Sequence, residues 1–480
     1  VSSKPDVIVV GSGPNGLAAA VVLARAGLFV RVLEARHEIG GGLCSDALTL
    51  PGFLHDVCSG VHPTGILSPL FRALPLEAHG LRWVYPGLSA AHPLDDGPAA
   101  LLARSFDTTC DTLGVDARAW RAMFEPLLPA KDTLFYDLLG PLRIPRAPIA
   151  FARFGLMAFR SARGLARARF RGERARALFA GCAAHSVLPL DFLFTAAMGV
   201  VFGLSGHLVD WPMAEGGSGA IARALAGYLR SLGGELVTNA PVSSLAALPD
   251  ARAYLFDVSP RQLVRIAHDA LPQGYKKRLA RYVYGPGVFK MDFALSAAIP
   301  WKDPRCGEAS TVHVGGTLDE ISHAERAVWE GKQPERPFVM VLQQSHFDKT
   351  RAPLGKHTGY AYCHVPNGST IDASAQIEAQ IERFAPGFRD TILARRTFSP
   401  SDLEAHNANL VGGAITGGAA HLPQLFTRPV ARLDPYSTPN PRIFLCSGST
   451  PPGGGVHGMS GYWAARSVLR RLGVKNDVAL

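Results

Sequence analysis

The sequence predicts an α/β protein in which a parallel sheet, built from both ends of the chain, joins an antiparallel sheet drawn from its middle. Three observations predict this. The 480-residue chain opens with Asp6-Val-Ile-Val-Val-Gly-Ser-Gly-Pro-Asn-Gly and, after one helix's length, reaches Val30-Arg-Val-Leu-Glu34. A strand, a glycine loop and a helix recur near the C-terminus, from Arg442 to Leu472. Between them, Val288 to Leu295, Ser310 to Val314, Pro337 to Ser345 and Thr358 to His364 are β-rich runs set apart by Gly, Pro and charged loops, with no helical pattern intervening.

The opening segment reads as a strand–turn–helix–strand unit for a dinucleotide. Val7 to Val10 is the apolar strand; Gly11 makes the tight turn, Gly13 admits a pyrophosphate close to the backbone, and Gly16 lets the helix pack on the strand. The helix Gly16 to Ala26 directs its N-terminal amides and positive dipole end at the phosphates, with Pro14 and Asn15 at its start. Glu34 ends the second strand, where its carboxylate can accept from both ribose hydroxyls, and Ala35 and Arg36 follow it. Strand, turn, helix, strand and acid all fall at the spacing of a Rossmann-type unit, which a glycine turn made for packing alone would not reproduce.

A second glycine cluster, Ile39-Gly-Gly-Gly-Leu-Cys-Ser45, which nicotinamide-binding units generally lack, resembles the extension in FAD proteins of the glutathione-reductase type, and that resemblance implies that Gly41, Gly42 and Leu43 lie beside the same ligand. At the other end, Arg442 to Gly448 reads as a strand, and Ser449-Thr-Pro-Pro-Gly-Gly-Gly-Val-His-Gly-Met-Ser-Gly461 as a loop before a helix from Tyr462 to Leu472. Gly448, Gly458 and Met459 of this loop are candidate contacts to an electron-rich ligand edge. One FAD bound between the two glycine loops explains both better than a flexible turn at Pro451-Pro-Gly-Gly-Gly does.

These segments resemble the phytoene desaturase-like branch of FAD oxidoreductases, which includes carotenoid desaturases, carotenoid isomerases and retinol saturases. The resemblance rests on Gly11 to Glu34, Gly40 to Ser45, Glu215-Gly-Gly-Ser-Gly-Ala-Ile-Ala, Thr238-Asn-Ala-Pro-Val242 and Thr450 to Gly461, so it spans the whole chain. It implies an FAD-binding domain of the glutathione-reductase type, an antiparallel-sheet substrate domain over the flavin, and a backbone contact from Val242 to the adenine. Gly216 to Leu232 is then a helix whose glycine-rich start sits near the flavin. Where many related flavoproteins carry Gly-Asp, this chain has Ser447-Gly-Ser449, which leaves open what holds the ribityl hydroxyls.

Length and composition set the frame. The expected layout is an FAD-binding domain in three parts (1–75, 211–270 and 435–480), a substrate or helical region at 76–210 with a basic helix at 141–176, and a substrate domain with an antiparallel sheet at 271–434. Glu235 to Thr238 and Ala253 to Phe256 are the strands that return to the FAD domain. Seven dispersed cysteines without C-x-x-C spacing suggest reduced thiols in a cytoplasmic compartment, no redox disulfide and no metal site. No secretory leader is expected, since Val1 to Pro5 leads straight into the first strand, and the longest apolar stretch, Phe192 to Leu204, is too short to span a bilayer.

The net charge of +10 is concentrated. Ten arginines lie between Pro141 and Arg176 against one acid, Glu173, and Arg153, Arg160, Arg167 and Arg174 recur every seven residues. Read as part of a helix running from Phe151 to Ala184, they form a basic stripe beside bulky apolar residues such as Phe154, Leu156 and Phe159. Two readings fit: a solvated basic face, or a surface that docks peripherally on an anionic membrane through 141–176. Nucleic-acid binding is disfavoured because no recognition motif accompanies the arginines. Ala117 to Ala130 is also helical in pattern.

The resemblance implies hydride transfer from an activated carbon of a lipophilic polyene or isoprenoid-like substrate to flavin N5, within a dry tunnel. With no second nicotinamide fingerprint, the electron acceptor is expected to be oxygen or a quinone; Gly412 to Gly418 is glycine-rich but reads as a loop. Polar candidates are Asp292, His313, Gln343, Tyr360, Tyr362, His364 and His457, of which His457, His313, His364 and Tyr362 are the catalytic candidates. His457 leads because its glycine loop should approach the isoalloxazine. A flavin-dependent isomerase or saturase, and a non-catalytic flavoprotein or assembly factor that binds a membrane partner, remain alternatives.

Overall fold

The computed structural model describes residues 4–475 and 480. The expectation about Val1 to Pro5 therefore rests partly on residues outside the described ones. A five-stranded parallel sheet forms the first layer, in the spatial order Ile443–Leu445, Ala253–Phe256, Val7–Val10, Val30–Leu33, Glu235–Val237. Val7–Val10 is central and buried on both faces, which is why it reads as an unbroken apolar run.

Two helices lie together on one face of this sheet. Pro14–Arg25 follows the glycine turn, with Pro14 at its first position, where the missing N–H would have been unpaired anyway. Met459–Leu472 packs across it. Both close approaches require glycine: a β-carbon on Gly16 would lie 2.2 Å from the Gly11 carbonyl oxygen, and one on Gly461 would lie 1.9 Å from that of Asn15. The C-terminal helix thus starts three residues earlier than the sequence pattern suggests, at Met459, because Gly458 adopts the left-handed N-cap conformation.

The second layer is a seven-stranded sheet ordered Ile392–Phe398, Gly287–Leu295, His357–Val365, Val339–Leu342, Ala309–Val314, Leu88–His92, Ala100–Leu102. All its pairings are antiparallel except that of Ala309–Val314 with Leu88–His92. The last two strands come from the 76–210 stretch, which the sequence reads as a substrate or helical region without assigning strands to it. The expectation of strands without intervening helices is also corrected. Leu318–Trp329 and Ser374–Phe384 cross between strands, the first nucleated where the Thr317 side chain accepts from the Glu320 amide at 3.3 Å. Period-two alternation gives the sheet two distinct faces. Phe289, Met291, Phe293, Val339, Val341 and Cys363 pack into its own core, under Ile377 and Ile381 of the second helix. Val288, Lys290, Met340, Leu342, Tyr360 and Tyr362 face the parallel-sheet domain instead.

The expected single helix over Phe151 to Ala184 is three: Pro148–Ala158, Ala162–Arg169 and Glu173–Ala184. Ser161 breaks the first junction by capping the Gly164 amide at 3.1 Å, and Gly172 sits at the second. The seven-residue arginine repeat therefore does not lie on one helical face. Arg163 and Arg167 are instead paired with Asp319, and Arg163 also approaches Asp191. Ala117 to Ala130 likewise divides into Ala117–Phe124 and a tighter turn at Glu125–Ala130 that carries two prolines. Among the described residues no helix is long and apolar enough to cross a membrane.

Replacing Gly461 by Val should drive its side chain into the backbone of Asn15. Urea unfolding is expected to show a loss of about 1–3 kcal/mol or more, whereas Gly274→Ala, exposed in the first turn of the helix Gln273–Leu279 with nothing within 4 Å of an added β-carbon, should be far milder.

Candidate functional site

A single cavity of about 1080 Å³ runs between the two layers. One limb is the dinucleotide cradle. Gly11, Gly13, Pro14, Asn15, Glu34, Ala35, Arg36, Gly41, Gly42 and Val242 line it, and Ser447, Gly448 and the loop from Pro451 to His457 close its far side. Gly16, Leu43, Gly458 and Met459 do not line the cavity. They are packed behind it, Leu43 and Met459 with no exposed surface.

The cradle's polar groups are of two kinds. Some are already paired: Glu34 accepts from the Ser12 amide at 2.9 Å, the Ser12 hydroxyl at 2.6 Å and the Arg36 amide at 3.0 Å. A carboxylate has about four acceptor positions, so capacity for a ribose hydroxyl remains. Others are buried without a partner, namely Asn15 Oδ1 and Arg36 Nε. Orphaned polar atoms on a cleft wall suit a polar ligand that occupies the cleft.

Asp257, which sequence reasoning missed, stands at the centre of this cradle. It follows the strand Ala253–Phe256, and its Oδ2 accepts the Gly16 amide at 2.9 Å, so it caps the dinucleotide helix from across the sheet. Burial pushes its carboxyl up to about 7, against the pull of that hydrogen bond, and the Glu34 carboxylate adds to the rise. The only sequence signal was an acid directly after an apolar strand. Its meaning depends on the parallel pairing of Val10 with Phe256, which brings the strand ends together.

The far wall is held by Arg428, also missed. Its buried guanidinium donates to the Gly448 carbonyl at 3.0 Å and to the Tyr282 hydroxyl at 3.0 Å, and reaches the Gly417 and Gly418 carbonyls. The loop Gly412 to Gly418 is thereby pinned against the Gly448 turn. Ser447 and Ser449 share a hydrogen bond of 2.7 Å.

The other limb is apolar. Phe151, Phe154 and Ala158 of Pro148–Ala158 face Met198, Val201 and Phe202 of Thr195–Val209, with Trp211 and Met340 deeper in. Tyr360, Tyr362 and Lys290 look in from the seven-stranded sheet. Lys290 is 1% exposed and its ammonium pairs with Asp292 and lies 4.4 Å from the centre of the Tyr360 ring. Burial pushes Asp292 up to about 6 despite that partner. Lys290 could have been found from sequence, since it shares strand parity with Asp292.

The histidine candidates are placed as follows. His457 lines the cavity, with Nδ1 accepting the Met459 amide at 3.0 Å; burial lowers it to about 4, so it is a neutral ring that fixes its own loop. His313 is behind the wall, 3.0 Å from His185, and His185 is the ring that reaches the cavity. His364 is deeper still, held at 2.8 Å by Glu325. Gln343 does not line the cavity; its Oε1 accepts the Ile299 amide at 3.3 Å, and its Nε2 is buried without a partner. The segment Gly216 to Gly219 is not beside the cavity. Its amides bind Asp348, Asp56 and Ser45, within a buried cluster in which Arg351 bridges Asp56 and Asp348. Burial alone would raise Asp56, but the Arg351 guanidinium and these donors hold it below the usual carboxylate range. The glycines there join domains rather than touch a ligand.

Residues 9–74 match the family described as NAD(P)-binding Rossmann-like domain. The chain has a Rossmann-like oxidoreductase fold. Pyridine nucleotide-disulfide oxidoreductase domain-containing protein 2 of Mus musculus is 25% identical over 97% of this chain and 94% of its own. Hydroxyneurosporene desaturase of Cereibacter sphaeroides is 26% identical over 98% of each chain. A limonene dehydrogenase component of Castellaniella defragrans is 33% identical over 22% of this chain and 19% of its own. Among solved structures, an oxidoreductase from Methanosarcina mazei superposes with a TM-score of 0.65 at 16% identity, covering 97% of this chain and 99% of that one. Putrescine oxidase superposes with a TM-score of 0.63 at 18% identity, covering 98% and 99%. These two likenesses are of fold.

The cofactor of this Rossmann-like domain is FAD, and the cradle fits it. It continues past Gly41 and Gly42 to the C-terminal loop, long enough in one cleft for a dinucleotide whose second half reaches the apolar limb.

A carboxyl whose folded pKa lies above its unfolded value binds its proton more tightly in the fold. Asp257 therefore withdraws no stability below about pH 4, and withdraws it progressively as pH rises from there to about 7. Asp257→Asn keeps an acceptor for the Gly16 amide and removes that titration. Urea unfolding across this range should show a flatter pH dependence in the variant, and fluorimetric titration at pH 8 should show tighter FAD binding, because no carboxylate then faces the diphosphate. An unchanged pH slope would mean that Asp257 is not buried as described.

Proposed function

We propose that the protein is an FAD-dependent oxidoreductase that dehydrogenates a large apolar substrate of polyene or isoprenoid type, with oxygen or a quinone as the electron acceptor. The observation that carries this reading is the apolar limb, which opens directly off the cofactor cradle and is walled by aromatic and aliphatic side chains from two helices. Bound FAD supplies a two-electron acceptor for a hydride leaving carbon. The chain's own residues supply the rest. Phe151, Phe154, Met198, Val201 and Phe202 exclude water and hold a hydrocarbon in line by contact alone. Tyr360 and Tyr362 present ring faces from the sheet, and burial raises both hydroxyls far above ordinary tyrosine, so they stay protonated. Lys290 puts a positive charge beside the same wall, held in place by Asp292.

An amine substrate, as the putrescine oxidase fold would allow, is less well served. Of the acidic residues lining the cavity, Glu34 and Asp257 belong to the cradle. Asp137 is the third, and it is occupied by the Arg143 side chain at 3.3 Å and the Arg146 amide at 2.7 Å. Among the described residues no free carboxylate waits for a cation on the apolar limb. The relatives named for hydroxyneurosporene desaturation and limonene dehydrogenation support the apolar reading.

Anaerobic mixing of the FAD-loaded protein with detergent-dispersed polyenes or isoprenoids should bleach the flavin absorbance, while putrescine should not. Bleaching by amines alone would overturn the reading. Gly155 lines the limb, and a side chain there would meet only Phe159, so Gly155→Phe should fill the tunnel. The expected result is at least a roughly tenfold slower bleaching, the equivalent of about 1.4 kcal/mol in the barrier, at unchanged FAD content.

A further inference from the structure

We propose that the rim of the apolar limb docks on an anionic phospholipid bilayer, with residues 142–159 lying in the headgroup layer. Most large apolar side chains of this protein are buried, but in this segment Leu142, Ile144, Ile149, Leu156 and Phe159 are 74%, 92%, 72%, 78% and 60% exposed. A contiguous apolar patch of this kind is unusual on a surface that meets only water. On the helix Pro148–Ala158 the exposed positions Ile149, Arg153 and Leu156 fall three to four residues apart and form one stripe, beside the stripe on which Ala150, Phe154 and Met157 are buried.

The patch surrounds the entrance rather than standing apart from it. Leu142, Phe159, Phe194 and Phe426 all line the cavity, and the last three rings touch in series, with centroids 4.5 Å and 5.4 Å apart. Phe426 is itself 45% exposed, and Leu193 beside Phe194 is 54% exposed.

Charge decides the occupant. Arg153 and Arg160 are exposed at the same rim, and among the described residues neither pairs with a carboxylate, whereas Arg163 and Arg167 on the next helix are committed to Asp319. Arginines able to swing toward phosphate, around apolar side chains that sink a few ångströms into the acyl boundary, make an interfacial contact selective for anionic lipid. A second copy would bring the same cations against themselves. The arginines singled out by their seven-residue repeat thus divide into a docking pair and a structural pair. The docking itself rests on the surface alone; only its use, passage of an apolar substrate from the bilayer into the limb, rests on the proposed function.

The test is sedimentation of the full-length, FAD-loaded protein with phosphatidylcholine vesicles, with and without phosphatidylglycerol. The wild-type protein should sediment with the anionic vesicles only. The triple variant Ile149→Ser/Leu156→Ser/Phe159→Ser should lose binding by roughly tenfold or more, since it removes three apolar side chains from the contact with the acyl boundary. Arg153→Gln/Arg160→Gln should weaken it, and Arg167→Gln should not. Thermal unfolding and flavin content, expected unchanged in the triple variant, separate lost docking from lost fold. Equal binding by the triple variant, no wild-type binding to anionic vesicles, or rim-dependent dimerisation in light scattering would each overturn the proposal. Because no substrate is present, failure here leaves the flavin-bleaching result untouched.

Discussion

The contact between two helix backbones at Asn15, Ala19 and Gly461 is the constraint on which the rest of the molecule depends. With no side chain at Gly461, the C-terminal helix sits directly on the first turn of the N-terminal one. That brings the loop Ser447 to His457, which is more than four hundred residues away along the chain, against the glycine turn at Gly11 to Asn15. Neither loop alone makes a cleft. Together they make one long enough for a dinucleotide, and the seven-stranded sheet roofs its far end.

Much of this was legible in the sequence because it is local. A glycine turn between an apolar strand and a helix has few alternatives, and Ala253–Phe256 and Glu235–Val237 fall where β-rich patterning puts them. Four of the seven strands of the second sheet were also visible, to within one to three residues, as β-rich runs set apart by Gly, Pro and charged loops, whereas Leu88–His92, Ala100–Leu102 and Ile392–Phe398 were missed. The helix Leu318–Trp329 was obscured because its buried face is itself partly polar, with Ser322 and Glu325 turned inward and Glu325 bound to His364. The break-up of the basic segment was hidden for a different reason. A repeat of seven looks like one helical face unless the caps at Ser161 and Gly172 are given priority over it.

Site residues divided along the same line. Positions fixed by the turn, such as Gly13, Asn15 and Arg36, could be read one by one. Asp257 and Arg428 could not, because each acts across a distance that only the assembled sheets create, whereas Lys290 was overlooked although it lies two residues from Asp292 on one strand. Asp257 is the most telling: an acid in a phosphate cradle contradicts simple electrostatics, and it is tolerated because burial favours its protonated form and the Gly16 amide needs an acceptor. His457 illustrates the converse, a residue correctly located beside the cavity whose ring is engaged by its own loop.

The central claim is that one FAD spans both glycine loops and meets the apolar limb. A crystal structure of the purified protein with its own cofactor tests it most directly. The account predicts density for a single FAD whose diphosphate lies on the Gly13 and Asn15 amides, with its flavin against the Pro451 to His457 loop at the base of the apolar limb. Density for a nicotinamide dinucleotide instead, or a flavin whose ring lies outside this cavity, would contradict it.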